Sequence, residues 1–165
     1  MTDARMTTKP RHASPPQFDM DFRPGFMIRR LHQIHVSFFF QECGTDLTPL
    51  QFTLLHVLLT RGEHDQHTLA KEVGIDRANA TAVIQRLEEK GLITRRGSDR
   101  DSRVKLCSLT AAGRTLTEEM LTAVEHANMR TLEALEPRER EQFVQSLKKL
   151  VLANNDSSRT KLTLR

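Results

Sequence analysis

Leu69-Ala70-Lys71-Glu72-Val73-Gly74-Ile75-Asp76-Arg77-Ala78-Asn79-Ala80-Thr81-Ala82-Val83-Ile84-Gln85-Arg86-Leu87 is the stretch on which the fold turns. Asp65 is a candidate N-cap for a short helix over Gln66–Val73, and Gly74 is placed to end it in a left-handed conformation. Asp76 then caps a second helix, Arg77–Lys90, which Gly91 closes. Two helices joined only by Gly74-Ile75-Asp76 have the length and glycine placement of a helix-turn-helix.

N-terminal to this unit, Thr48-Pro49-Leu50-Gln51 combines a capping box with proline at the first helical position, so a helix runs from there to Arg61-Gly62. An earlier helix spans roughly Pro24–Cys43 and stops at Gly44. One of its faces carries Met27, Leu31, Ile34 and Phe38, and a second carries Ile28, His32, His35 and Phe39, so both sides have something to meet. Residues 1–17 are polar, with three prolines and no apolar period, and read as a disordered arm. C-terminal to the unit, Leu92–Arg96 and Val104–Leu109 read as strands around the charged loop Gly97–Arg103. Thr110 caps a long helix with the stripe Leu116, Met120, Val124, Ala127 and Leu135. Glu136-Pro137 breaks it, and Arg138–Ala153 follows with Phe143, Leu147, Leu150 and Val151 inward. The polar tail Asn154–Arg165 reads as frayed.

The expected fold is therefore mainly α with a small β-hairpin wing, a winged helix-turn-helix whose N- and C-terminal helices form a dimerisation region. In segments, 1–17 is the arm, 18–46 a dimerisation helix, 47–110 the DNA-binding domain, 111–153 the C-terminal dimerisation helices and 154–165 a flexible tail.

Charge placement supports a nucleic-acid partner better than total charge does. The chain of 165 residues has 25 Lys+Arg against 21 Asp+Glu, a net +4. Residues 86–105 hold seven basic and four acidic side chains, so a small basic stripe lies on the second helix and the hairpin. Eight Phe but no Tyr or Trp leave little for a base-stacking platform, which favours duplex over single-strand recognition. There is no apolar run for a bilayer and no secretory h-region, and Cys43 and Cys107 form no CxxC pair, so a cytoplasmic location is expected, with no membrane partner. No GxSxG, Walker loop, dinucleotide fingerprint or HExxH occurs, so neither an enzyme nor a cofactor is expected.

In a helix-turn-helix the second helix lies in the major groove with its first residues facing base edges. With Ala80, Val83, Ile84 and Leu87 inward, the outward residues are Arg77, Ala78, Asn79, Thr81, Ala82, Gln85 and Arg86. Asn79 and Gln85 can pair bidentately with adenine, Arg77 can read guanine or bind phosphate, and Thr81 and Ala82 suit a thymine methyl. Arg100 and Arg103 on the loop, with Arg96 at its base, are placed to enter a narrow minor groove. A plain amphipathic helix beside a charge-neutral hairpin is the bland alternative; its solvated face would favour Glu and Lys over this Ala/Thr/Asn/Gln mixture.

The segments Leu69–Gly74, Asp76–Asn79 and Val83–Ile93 resemble the MarR family of winged helix-turn-helix regulators. So does the wing Arg100-Asp101-Ser102-Arg103-Val104-Lys105-Leu106 running into Ser108–Gly113. One departure is that Ser98 stands where the family's wing usually has Asp, two residues before the first Arg. The resemblance implies a homodimer with intertwined terminal helices, two recognition helices on a pseudo-palindromic operator in double-stranded DNA, and commonly a repressor released by a small molecule. The start of the recognition helix is similar to the branch controlling aromatic-acid catabolism, so an aromatic carboxylate is the expected effector. Its candidate residues are Arg29, His32 and His35 on the first helix and His56 on the second, with Phe39 and Phe52 as apolar walls. Oxidation sensing through Cys43 or Cys107, and metal sensing through His32-x-x-His35 or His64-x-x-His67, are the regulator alternatives. Cys43 falls at a helix C-terminus, where a thiolate is disfavoured. The pairs lack an accompanying cysteine or carboxylate cluster, so no metal site is expected. A helical protein-interaction module without DNA binding is the rival from another class.

Overall fold

The computed structural model describes residues 23–98 and 103–162. The N-terminal arm and Arg100 at the wing tip lie outside the described residues. Six helices and a three-stranded sheet follow in the order α1 (Pro24–Cys43), α2 (Pro49–Arg61), β1 (His64–Asp65), α3 (Gln66–Val73), α4 (Arg77–Glu89), β2 (Ile93–Gly97), β3 (Lys105–Leu109), α5 (Ala111–Thr131) and α6 (Pro137–Asn154). A 3-10 turn, Asn155–Ser157, ends the described elements. Among the described residues no helix is long and apolar enough to cross a membrane.

The helix starts follow from their caps. At α2 the Gln51 N–H donates to Thr48 Oγ1 and the Thr48 N–H donates to Gln51 Oε1, a complete capping box. At α3 one oxygen of Asp65 accepts from the backbone N–H groups of His67 and Thr68. Gly74 ends α3 at φ +72°, a left-handed position that also redirects the chain into α4.

The core is built around the middle of the chain. Leu54, Leu55 and Leu58 of α2 meet Leu69 of α3, Ile84 and Leu87 of α4, and Ile93 and Cys107 of the sheet. Met120 and Ala127 of α5 and Phe39 of α1 extend it towards the terminal helices. α1 lies along α5.

The sheet has the order β1-β3-β2, antiparallel throughout. β2 and β3 form the expected hairpin, with Ile93 opposite Leu109 and Gly97 opposite Lys105. β2 begins one residue later than expected because the Leu92 N–H still donates to the Leu87 carbonyl, closing the preceding helix. β1 is an addition: His64 and Asp65 pair with Cys107 and Leu106. Two residues in a polar loop carry no alternation that would announce a strand.

α1 turns Phe39 inward and leaves Met27 48 % and Ile34 37 % exposed, so the second of the two faces described above reaches the core of its own chain. Three expectations about the terminal regions need correction. α5 stops at Thr131, because residues 132–135 tighten into turns before Pro137, and Leu135 lies past the helix. α6 buries no residue, and Leu147, Leu150 and Val151, expected inward, are exposed. The tail is not simply frayed, for residues 155–162 fold back onto the Gly74 turn.

Candidate nucleic-acid interface

All seven outward residues of α4, Arg77, Ala78, Asn79, Thr81, Ala82, Gln85 and Arg86, are exposed, while Ala80, Ile84 and Leu87 are buried and Val83 is half-buried. The arrangement follows from burying one apolar stripe of a 3.6-residue period against α3 and the sheet. Asp76 does two jobs at the start of this helix. One carboxylate oxygen accepts the Asn79 backbone N–H at 2.9 Å and the other accepts the Asn79 side-chain amide at 2.6 Å. The Asn79 side chain is thereby held in one orientation. Gln85 donates to Glu89 Oε1 at 2.9 Å, and the Thr81 hydroxyl donates to the Arg77 carbonyl, which leaves the threonine methyl as its outer contact surface.

The basic stripe is partly neutralised within the protomer. Arg95 forks onto Glu88, Arg96 reaches both oxygens of Glu63 through Nε (3.1 Å) and Nη2 (2.8 Å), and Lys90 pairs with Asp46. The Glu88 carboxyl is held below the usual range first by its hydrogen bond from Arg95. Arg96 therefore works at the wing base as a tether to the loop before β1. A cleft of about 270 Å³ opens between the start of α4, the start of α3 and the wing, lined by His67, Arg77, Thr81, Arg103 and Lys105 among others. His67 and Lys105 join Arg77, Thr81 and Arg103 in this cleft. Lys105 stood in the basic stripe, whereas the sequence marked His67 only as half of the His64-x-x-His67 pair, because only the fold brings the start of α3 beside the wing.

Five of the six expected effector residues fall into two groups, and Arg29 stands apart from both. His32 and His35 line a groove of about 1120 Å³ between α1, the end of α5 and α6, and its apolar wall includes Met27, Ile28, Met129 and Val144. Phe39, Phe52 and His56 instead form a run of ring contacts, Phe39–Phe52 tilted with centroids 6.1 Å apart and Phe52–His56 stacked with centroids 5.9 Å apart. At 1 % and 7 % exposure, Phe39 and Phe52 are core rather than open crevice walls. Arg29 lies over the Phe26 ring, 5.3 Å from its centroid. His35 Nδ1 is 2.9 Å from Thr131 Oγ1, whose own proton goes to the Ala127 carbonyl. His35 is thus the donor, the tautomer that leaves Nε2 as an acceptor. Burial, and then the nearby His32, lower the His35 pKa.

The thiols show no activation. Burial pushes Cys107 up to about 11, and burial followed by Glu42 raises Cys43. No group of three or more His, Cys, Asp or Glu side chains suited to a metal occurs among the described residues.

An exposed, capped second helix beside a three-stranded wing defines a winged helix-turn-helix of the kind that docks on duplex DNA. The MarR family sequence profile matches residues 47–105. A probable transcriptional regulator from Pseudomonas aeruginosa is 32 % identical over 80 % of this chain and 99 % of its own, with a TM-score of 0.77. BpsR from Bordetella bronchiseptica, whose DNA binding is regulated by 6-hydroxynicotinic acid, is 33 % identical over 81 % of this chain and 96 % of its own, TM-score 0.76. PcaV from Streptomyces coelicolor, a transcriptional regulator solved with its natural ligand, is 26 % identical over 82 % of this chain and 96 % of its own, TM-score 0.77. The chain belongs to the MarR family of transcriptional regulators.

Proposed function

We propose that this regulator is a homodimeric repressor that reads a pseudo-palindromic operator and is released by a small aromatic carboxylate. The observation that carries the DNA half is the α4 face: small residues at 78 and 82 allow close approach, and the amides of Asn79 and Gln85 stand among them. Arg77, Arg86 and Arg103, with Arg100, supply phosphate or minor-groove contacts, and Arg96 joins them only by leaving Glu63.

The dimer is supported by the unburied α6 and the apolar groove beside it. Ile28 is 59 % exposed and Leu150 56 %, and a contiguous apolar face of this kind is what a C2 partner covers. For the effector, Arg29 and His32 are i,i+3 neighbours on α1 and offer a charged clamp for a carboxylate, with His35 as a further polar group. The regulation of BpsR by a hydroxylated aromatic acid supports this ligand class. A ligand that prefers a dimer with wrongly spaced recognition helices weakens operator binding, and a coupling of about 1–3 kcal/mol gives roughly 5- to 150-fold release.

The test is fluorescence anisotropy on a duplex that the wild-type protein selects from a randomised pool. Asn79→Ala should relax preference at particular base pairs, whereas Arg100→Ala should weaken binding and its salt dependence with little change in preference. Equal loss on all sequences for Asn79→Ala would refute its base-reading role. In the same assay 6-hydroxynicotinic acid heads a panel of aromatic acids. Arg29→Ala should abolish release while leaving DNA binding intact, and a retained response would sink the carboxylate clamp.

A further inference from the structure

Beyond α6 the chain closes a small loop. Asn155 forms the clasp: its Nδ2 donates to the Leu162 carbonyl at 2.8 Å, and the Leu162 N–H donates to its Oδ1 at 2.9 Å. Lys161 pairs with Asp156 at 2.7 Å and the Thr160 N–H donates to Ser158 Oγ, so the loop holds its own shape. Two direct contacts seat it on the turn between α3 and α4. The Thr160 hydroxyl donates to the Gly74 carbonyl at 2.8 Å. The Leu162 side chain covers Gly74 so closely that a Cβ there would stand 3.2 Å from Leu162 Cδ1. Val151 of α6 and Val73 of α3 line one cleft of about 330 Å³, and Ser158, Thr160 and Leu162 of the loop complete its wall.

We propose that residues 155–162 are a strap joining the end of α6 to the α3–α4 turn. Thr160 and Leu162 are its positioning residues, and they fix the angle of the recognition helix against the dimerisation helices. On the reading that two heads meet one pseudo-palindromic operator, this angle sets the spacing at which the heads are presented. The DNA-reading head already joins the terminal helices on one side, where β3 runs through Thr110 into α5 and α2 packs beside α5. A body held on one side can pivot there, and a second hold elsewhere removes the pivot. α6 buries no residue, so packing within the chain gives its far end little grip and the strap makes the link. The seat also has leverage. Gly74 ends α3 and α4 begins at Arg77, so a shift of the turn moves the first turn of α4, where Asn79 stands. The clasp orders the loop in advance, so seating it costs little further entropy.

The experiment uses full-length protein and reads half-site spacing by fluorescence anisotropy. The duplex selected by the wild type is compared with two versions whose half-sites are moved two base pairs apart or together. Such a shift rotates one half-site by about 70° around the DNA axis, so the wild type should lose roughly tenfold or more on either version. Leu162→Ser, which removes the cover on Gly74, should lose less than about threefold on the same versions. Thr160→Val should fall between the two, and Thr160→Ser, which keeps the hydroxyl, should match the wild type. All proteins are compared at a temperature where circular dichroism shows them folded. A variant that is merely destabilised would weaken on all three duplexes alike and keep the wild-type ratios. Hydrogen exchange in the free protein gives a second reading. The Ile75 amide, which donates to the Ala70 carbonyl at the seat, should exchange severalfold faster in Leu162→Ser. A Leu162→Ser protein as strict about spacing as the wild type overturns the proposal, and so does unchanged exchange at Ile75. A wild type indifferent to spacing refutes the two-headed reading and the proposal with it, whereas a strict wild type beside an equally strict Leu162→Ser refutes the strap alone.

Discussion

Gly113→Ala sets two physical effects of opposite sign against each other. Gly113 lies in the first turn of α5, where an alanine gains about 1 kcal/mol in helix propensity. Its Cβ, however, would fall 2.8 Å from the Leu92 carbonyl carbon and nearer still to the oxygen. Neither side can move freely. The Leu92 carbonyl accepts the Thr110 N–H, the Thr110 hydroxyl donates to the Gly91 carbonyl at 2.7 Å, and the Gly113 N–H donates to Thr110 Oγ1 at 2.9 Å. On the next turn the buried Thr117 hydroxyl donates to the Gly113 carbonyl. Overpacking costs about 1–3 kcal/mol where side chains can yield, and here two backbones meet, so the top of that range applies. The net is about 2 kcal/mol of destabilisation, or about 4–8 °C in Tm for a chain of this length. Circular dichroism melts at fixed protein concentration measure it, since association shifts Tm by mass action. Gly25→Ala, with open space around its Cβ, is the control and should leave Tm unchanged or raise it. A Gly113→Ala protein that melts at or above the wild-type temperature would refute the close-approach argument.

Other substitutions test separate elements. Thr48→Ala should cost about 1 kcal/mol in urea titrations through loss of the α2 capping box, and Thr48→Ser should recover most of it. His35 has a lowered pKa in the folded chain, so the unfolded chain takes up the proton first and stability should fall as pH drops below about 6.5. Urea midpoints at neutral and mildly acidic pH should show this fall in the wild type and a smaller one in His35→Gln. Leu150→Glu should shift the mass measured by light scattering from twice 18.9 kDa to one chain, and an unaltered dimer would remove α6 from the interface.

What the sequence made legible was written in short-range chemistry. Thr48-Pro49-Leu50-Gln51, Asp65, Gly74 and Asp76 act on groups no more than four residues away, so the helix edges they set coincide with the structure. The outward face of α4 was legible for the same reason, since helical periodicity alone sorts its residues. What escaped depends on distant partners. Arg96 meets Glu63, 33 residues away, and Lys90 meets Asp46, 44 away, so the stripe counted along the chain overstated the free charge at the wing. Periodicity also marks an apolar side of α6 without saying whether its own chain covers it. The effector group dispersed for a related reason: Phe39 and Phe52 have the composition of a pocket wall, and only packing shows that they fill each other's space.

The smallest strand has the widest consequence for engineering. Asp65 pairs with Leu106 of the wing through its backbone while its side chain starts α3. Exchange of the wing or of the helix-turn-helix between related regulators would therefore cut through a residue shared by both. A chimera that transfers operator preference intact has to carry residues 63–109 as one block, including Glu63 with Arg96. Junctions placed inside that block would leave one parent's arginine facing the other parent's loop.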